Sequence, residues 1–154
     1  MIQNFKGRKE WMNEKETIIK ILHEYRTVAI VGLSRNSGKE SYIVADYLKK
    51  NKYTIIPVNP YALNILNEKC YKSLLDIPEY LQKKIEIVVI FRSSSEIKPI
   101  INQALQLKNK YGTPCVIWMQ LGIINIEAAK QAREAGIITI MNKCIKIEHQ
   151  NRTM

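Results

Sequence analysis

The sequence predicts an α/β fold, a single doubly wound domain built on a mostly parallel sheet of about five strands. Three observations carry that expectation. Short apolar runs rich in β-branched residues recur along the 154-residue chain and are too short to be helices. Segments with helical apolar spacing lie between them, so strand and helix alternate. The run from Glu86 to Phe91 (EIVVIF) is almost wholly apolar, which suits a strand covered on both faces.

Each element follows from its residues. Glu14 to Glu24 sets Ile18, Ile19 and Leu22 on one helical face, with Asn13 placed to cap the first turn. Thr27 to Val31 reads as the first strand, and Ser41 to Asn51 as a helix with Val44, Tyr47 and Leu48 facing inward. Tyr53 to Val58 is extended, and Pro57 marks it as close to its end. Asn59 to Leu81 is irregular and holds Asn59-Pro60-Tyr61, Cys70-Tyr71 and a helix opening at Asp76 to Glu79. After the strand at Glu86 to Phe91 comes a helix from Ser95 to Lys110, then a strand from Cys115 to Met119. A helix from Asn125 to Ala135, stopped by Gly136, leads to a last strand from Ile137 to Met141. The order is β-α-β-β-α-β-α-β without a Ser/Gly-rich linker, so residues 1–154 are expected to form one domain.

Hydrophobic residues make up 46% and charged residues 25%, the profile of a globular protein. No apolar run approaches the roughly 18 residues that span a bilayer, and the opening residues lack the core of a signal peptide. No membrane association and a cytoplasmic location are expected. Cys70, Cys115 and Cys144 are widely spaced and odd in number, with no C-x-x-C pair. That pattern supports neither a zinc site nor a disulfide framework. The formal charge of +10 is spread over scattered lysines rather than a basic block interleaved with aromatics. It argues against nucleic acid as a partner and suits small anionic ligands.

In a doubly wound sheet the ligand sits beyond the carboxyl ends of the strands, where the strand order reverses. The segments there are Gly32-Leu33-Ser34-Arg35, Asn59-Pro60, Arg92-Ser93-Ser94-Ser95, Gln120-Leu121-Gly122 and Asn142-Lys143-Cys144. They contain no acid; they offer two arginines, a lysine, hydroxyls and amides, a set suited to an anion. Gly32 has no Cβ and would let the backbone approach a pyrophosphate, with the Leu33 and Ser34 N–H groups and Arg35 available to it. An NAD site would place Asp or Glu after the second strand, whereas YTIIPVNP ends in Asn59 and Pro60. An NADP site would add a nearby arginine, and none follows. His23 and His149 lie away from the strand ends, so no catalytic constellation is visible. Cys144 follows the last strand, where a thiol could either meet a ligand or pack beneath it.

These segments together resemble a known family. VAIVGLSRN, IIPVNP, CYKSLLDIPE, VVIFRSSSE, WMQLGIINIEAAKQAREAGI and MNKCIKIEH are similar, in order, to the small stand-alone CoA-binding proteins of bacteria and archaea. Those proteins in turn resemble the CoA-binding domain of the succinyl-CoA synthetase α subunit. The resemblance covers residues 25–149, leaving 1–24 as an N-terminal helix region and 150–154 as a tail. It implies a Rossmann-like domain that binds coenzyme A or acyl-CoA without a reaction of its own, as a sensor or carrier module. An acyl-CoA-utilising enzyme and an NAD(P)-binding protein remain as alternatives, and a protein partner or homo-oligomer stays open. The family's motifs map to Gly32, Ser34 and Arg35, to Pro57 through Pro60, to Phe91 and Arg92, to Trp118, Gln120 and Gly122, and to Asn142, Lys143 and Cys144. Lys143 stands where arginine is common in the family, which exchanges a bidentate phosphate grip for a point charge. The candidate CoA site is thus Gly32, Leu33, Ser34, Arg35, Asn59, Pro60, Phe91, Arg92, Ser93, Gln120, Gly122, Asn142, Lys143 and Cys144.

Overall fold

The computed structural model describes residues 2–5 and 8–152. A two-stranded hairpin, β1 (Ile2–Phe5) and β2 (Arg8–Trp11), precedes helix α1 (Glu14–Glu24). Strand β3 (Thr27–Val31), helix α2 (Glu40–Lys50) and strand β4 (Thr54–Val58) form the first crossover unit. The segment that looked irregular carries a small hairpin, β5 (Asn64–Ile65) and β6 (Glu68–Lys69), a 3-10 turn at Leu74–Asp76 and the single-turn helix α3 (Glu79–Gln82). Strand β7 (Ile87–Ile90), a 3-10 turn at Ser94–Glu96, helix α4 (Ile97–Tyr111) and strand β8 (Val116–Met119) follow. Helix α5 (Ile126–Glu134), strand β9 (Ile138–Ile140) and helix α6 (Ile145–Asn151) complete the described chain.

The main sheet has five strands in the order β4-β3-β7-β8-β9, all parallel. The chain leaves β3 toward β4, then returns to β7 on the other side of β3. The order therefore reverses between β3 and β7, and the crevice at their carboxyl ends is where such a sheet accepts a ligand.

Period-two alternation distributes each strand between two cores. Val28 and Ile30, Ile87 and Val89, and Val116 and Trp118 face one side, where they meet Ile21 and Leu22 of α1, Val44 and Leu48 of α2, and Ile145 of α6. Ala29 and Val31, Val88 and Ile90, and Ile117 and Met119 face the other, against Ile101 and Leu107 of α4 and Ala129 and Ala132 of α5. Both faces are covered, which is why the strands are apolar throughout. Pro57 is tolerated because β4 is the edge of the five-strand sheet.

The helix caps fall where the side chains require. Asn13 Oδ1 accepts the Glu16 N–H at 2.8 Å, and Asn125 Oδ1 accepts the Ala128 N–H at 3.0 Å.

Two terminal regions differ from expectation. Residues 1–24 hold the β1–β2 hairpin as well as a helix. Phe5 is buried and stacks on Tyr25 with ring centroids 6.1 Å apart, so the hairpin is packed onto α1 and β3 rather than standing alone. Residues 145–151, assigned no element from the sequence, are the helix α6. Its signal is only seven residues long, too short for a periodicity argument.

Candidate functional site

The site begins with a close approach between β3 and β7. Val31 O accepts the Phe91 N–H at 2.8 Å, and the Gly32 N–H crosses the other way to Val58 O at 2.9 Å. Gly32 thus lies clamped between the ends of β4 and β7 with φ +86°. A Cβ there would sit 2.6 Å from the Phe91 carbonyl oxygen and 3.3 Å from Cδ of Arg92. The glycine is required first by the sheet. Arg92 packs over it where a larger residue would stand.

The polar residues after the strands lock the loops to one another. Asn59 Nδ2 donates to Leu33 O at 2.8 Å and its Oδ1 accepts the Tyr61 N–H at 2.7 Å, which ties the end of β4 to the Gly32 loop. Asn142, at φ +59°, accepts the Gly122 N–H at 2.7 Å and ties β9 to the loop after β8. Trp118 Nε1 donates to Lys143 O at 2.8 Å. Gln120 is 3% exposed, and its Oε1 accepts the Ile145 N–H at 2.9 Å, so it caps α6 from beneath. These side chains hold the shape of the rim.

Two cavities open at this rim, one on each side of Arg92. The first, about 400 Å³, is lined by Phe91, Arg92, Ser93, Gln120, Leu121, Ile123, Cys144 and Ile147, with Glu40 at its edge. The second, about 340 Å³, lies beyond Val31 and Val58 and is lined by Pro60, Lys72, Ser73, Arg92, Ser95, Glu96 and Gln103. Arg92 belongs to both. Among the described residues it makes no hydrogen bond or ion pair, whereas the guanidinium groups of Arg26, Arg133 and Arg152 each donate to a backbone carbonyl. A half-buried guanidinium without an internal partner, facing two cavities, is poised for an anion.

The remaining candidates divide. Leu33 is fully buried and serves the core. The Ser34 N–H donates to Ser41 Oγ at 2.9 Å and Ser34 Oγ accepts the Asn36 N–H at 3.0 Å, so this loop is closed upon itself. Arg35 is exposed and lines neither cavity. Lys143 turns away: its Nζ lies 3.6 Å from Glu14 Oε1, beside a separate cavity of about 400 Å³ between α1 and α6. That cavity mixes Lys15, Lys143 and Arg152 with Glu14 and Glu148 and lies away from the carboxyl ends of the strands. Cys144 is 5% exposed, sits just before α6 and lines the first strand-end cavity.

Three features escaped a reading of strand-end loops alone. Glu40 and Glu96 bring carboxylates to the cavities from helix starts, although the strand-end segments themselves hold none. Lys72 reaches the second cavity because Tyr71 forms a parallel bridge with Val58 and extends the sheet edge. His149, read from the sequence only as lying away from the strand ends, is 4% exposed; its Nδ1 lies 2.6 Å from Tyr47 Oη and its ring packs edge-on against Tyr53. Burial, with Arg152 and Arg26 nearby, pushes its pKa down from 6.5 to about 4, so it is a neutral pin between α6 and α2.

Comparison with known proteins shows the family of the chain. A family described as a CoA binding domain matches residues 26–150. The uncharacterized protein YneT of Bacillus subtilis is 33% identical over 135 residues, covering 88% of this chain and 93% of that protein. An ADP-forming acetate–CoA ligase (II) of Archaeoglobus fulgidus is 46% identical over 56 residues, which cover 35% of this chain and only 8% of the ligase. A solved structure of a hypothetical protein from Pyrococcus horikoshii OT3 superposes with a TM-score of 0.80 at 35% identity, covering 92% of this chain and 96% of that one.

Proposed function

The chain belongs to the CoA binding domain family, and we propose that residues 1–154 form one module that binds coenzyme A or an acyl-CoA at the carboxyl ends of β3, β4, β7 and β8. The observation that carries this is Arg92, a guanidinium with no polar partner among the described residues, shared by two cavities at the point where the strand order reverses. The two cavities differ in chemistry. Both have apolar walls, Val31, Val58, Leu74 and Ile100 on the Lys72 side and Phe91, Leu121, Ile123 and Ile147 on the Cys144 side, but only the Lys72 side adds a second cation. A ligand that is anionic at one end and a thiol on a weakly polar arm at the other suits that division.

The module works as a sensor or carrier rather than as an enzyme. The CoA ligase it matches is more than ten times the matched length, and this chain corresponds to one small part of it. NAD is disfavoured because both amide atoms of Asn59 are committed to backbone groups, and no carboxylate stands at the end of β4. Cys70, Cys115 and Cys144 form no disulfide, which suits a reducing compartment, and we place the protein in the cytoplasm.

Mass spectrometry of the protein purified under native conditions tests the reading. Retained coenzyme A or an acyl-CoA is the expected result. A retained nicotinamide dinucleotide would overturn it.

A further inference from the structure

We infer that Lys72 reads the ribose phosphate that distinguishes coenzyme A from dephospho-CoA, an inference that rests on the reading of the site as a CoA site. In a doubly wound sheet the ribose of an adenine nucleotide lies at the end of the second strand of the first crossover unit. The group placed there decides what is recognised. A carboxylate accepts hydrogen bonds from ribose hydroxyls, whereas a cation accommodates a ribose phosphate.

Here that strand is β4, and the residue after it is not the carboxylate that would hold ribose hydroxyls but Asn59, whose amide already bonds Leu33 O and the Tyr61 N–H. The sheet edge continues through Tyr71 instead. Its N–H donates to Pro57 O at 3.0 Å and its carbonyl accepts the Asn59 N–H at 2.8 Å. Lys72 comes next, on the wall of the cavity that also holds Arg92.

The neighbours of Lys72 are already committed. Ser73 Oγ donates to Asp76 Oδ2 at 2.8 Å, Gln103 Oε1 accepts the Leu74 N–H at 3.2 Å, and Glu96 Oε2 accepts from Ser93 Oγ at 2.9 Å. Lys72 pairs with no carboxylate among the described residues. The cavity therefore presents two cations without an ion pair among the described residues, half-buried Arg92 at the crevice between β3 and β7 and exposed Lys72 at the β4 edge, with the Glu96 carboxylate also on its wall. One meets the pyrophosphate, and the other meets the phosphate on the ribose beyond it.

Calorimetric titration of the parent, Lys72→Met and Lys72→Arg with coenzyme A and with dephospho-CoA tests this. The parent is expected to prefer coenzyme A roughly tenfold or more, the effect of one charge-assisted contact. In Lys72→Met the preference collapses toward one, because affinity for coenzyme A falls and that for dephospho-CoA does not follow it. Lys72→Arg keeps the preference. Discrimination that persists in Lys72→Met, or a parent that binds both forms equally, overturns the role of Lys72 and leaves coenzyme A as the ligand. A parent that binds neither overturns the CoA reading itself, and this inference with it.

Discussion

The ends of β3 and β7 meet so closely that Gly32 has no room for a side chain: a Cβ would lie 2.6 Å from the Phe91 carbonyl oxygen. The same position has φ +86°, where a non-glycine residue is strained. Gly32→Ala should therefore cost at least about 2 kcal/mol of stability, whether or not a ligand is present. Urea denaturation of the unliganded protein checks this. A loss within experimental error would mean that the strand ends part easily and that the glycine serves the ligand alone.

Arg92→Ala should behave in the opposite way. Arg92 makes no internal polar contact among the described residues, so folding stability should change little. Affinity for coenzyme A should fall more than tenfold, about 1.5–3 kcal/mol, and become less sensitive to salt. Arg35→Ala, at an exposed position outside both cavities, should weaken binding much less. Equal losses from the two variants would shift the anion site toward the Gly32 loop.

Thermal melting separates the nucleotides. A ligand at about a hundred times its dissociation constant adds roughly 2.7 kcal/mol, which for this size raises Tm by about 5–10 °C. Coenzyme A should produce that shift and NAD should not. A shift with NAD alone contradicts the proposed function.

Cys144 supplies a chemical reporter of the first cavity. It lines that cavity while remaining 5% exposed, so bound coenzyme A should slow its alkylation by a small thiol reagent. The same position decides whether CoA disulfide can react. Attack by the Cys144 thiolate would join its sulfur to one CoA and release the other CoA as a thiolate. Intact mass should then show one reducible adduct, absent in Cys144→Ser. Unprotected alkylation together with no adduct would leave Cys144 as a packing residue.

His149 should make stability depend on pH. Its folded pKa of about 4 lies below the ordinary 6.5, so between those values the unfolded chain binds more protons than the folded one. The stabilisation is fully present above pH 6.5 and is lost as pH falls toward 4. The urea midpoint of the parent, minus that of His149→Gln, should shrink from pH 7 to pH 4.5. A constant difference would show that protonation does not disturb the contact with Tyr47.

The amino-acid sequence by itself determined the five strands of the main sheet and the helices that alternate with them. Thr27–Val31 and Glu14–Glu24 are legible because apolar period and capping residues act within a few positions of each other. The parallel sheet is legible because a strand such as Ile87–Ile90, apolar on both faces, has no other use. The order of strand-end segments pointed to an anion at their carboxyl edge, and Arg92 stands there. What only the tertiary structure decided is which of those residues face the crevice. Lys143 and Arg92 look alike in sequence, each a cation just past a strand, yet Glu14 draws one toward α1 while two cavities meet at the other. Lys72 enters through a bridge between Tyr71 and Val58, and His149 is buried by Tyr47, 102 positions away. Those contacts join residues far apart in the chain, and local pattern carries no record of them.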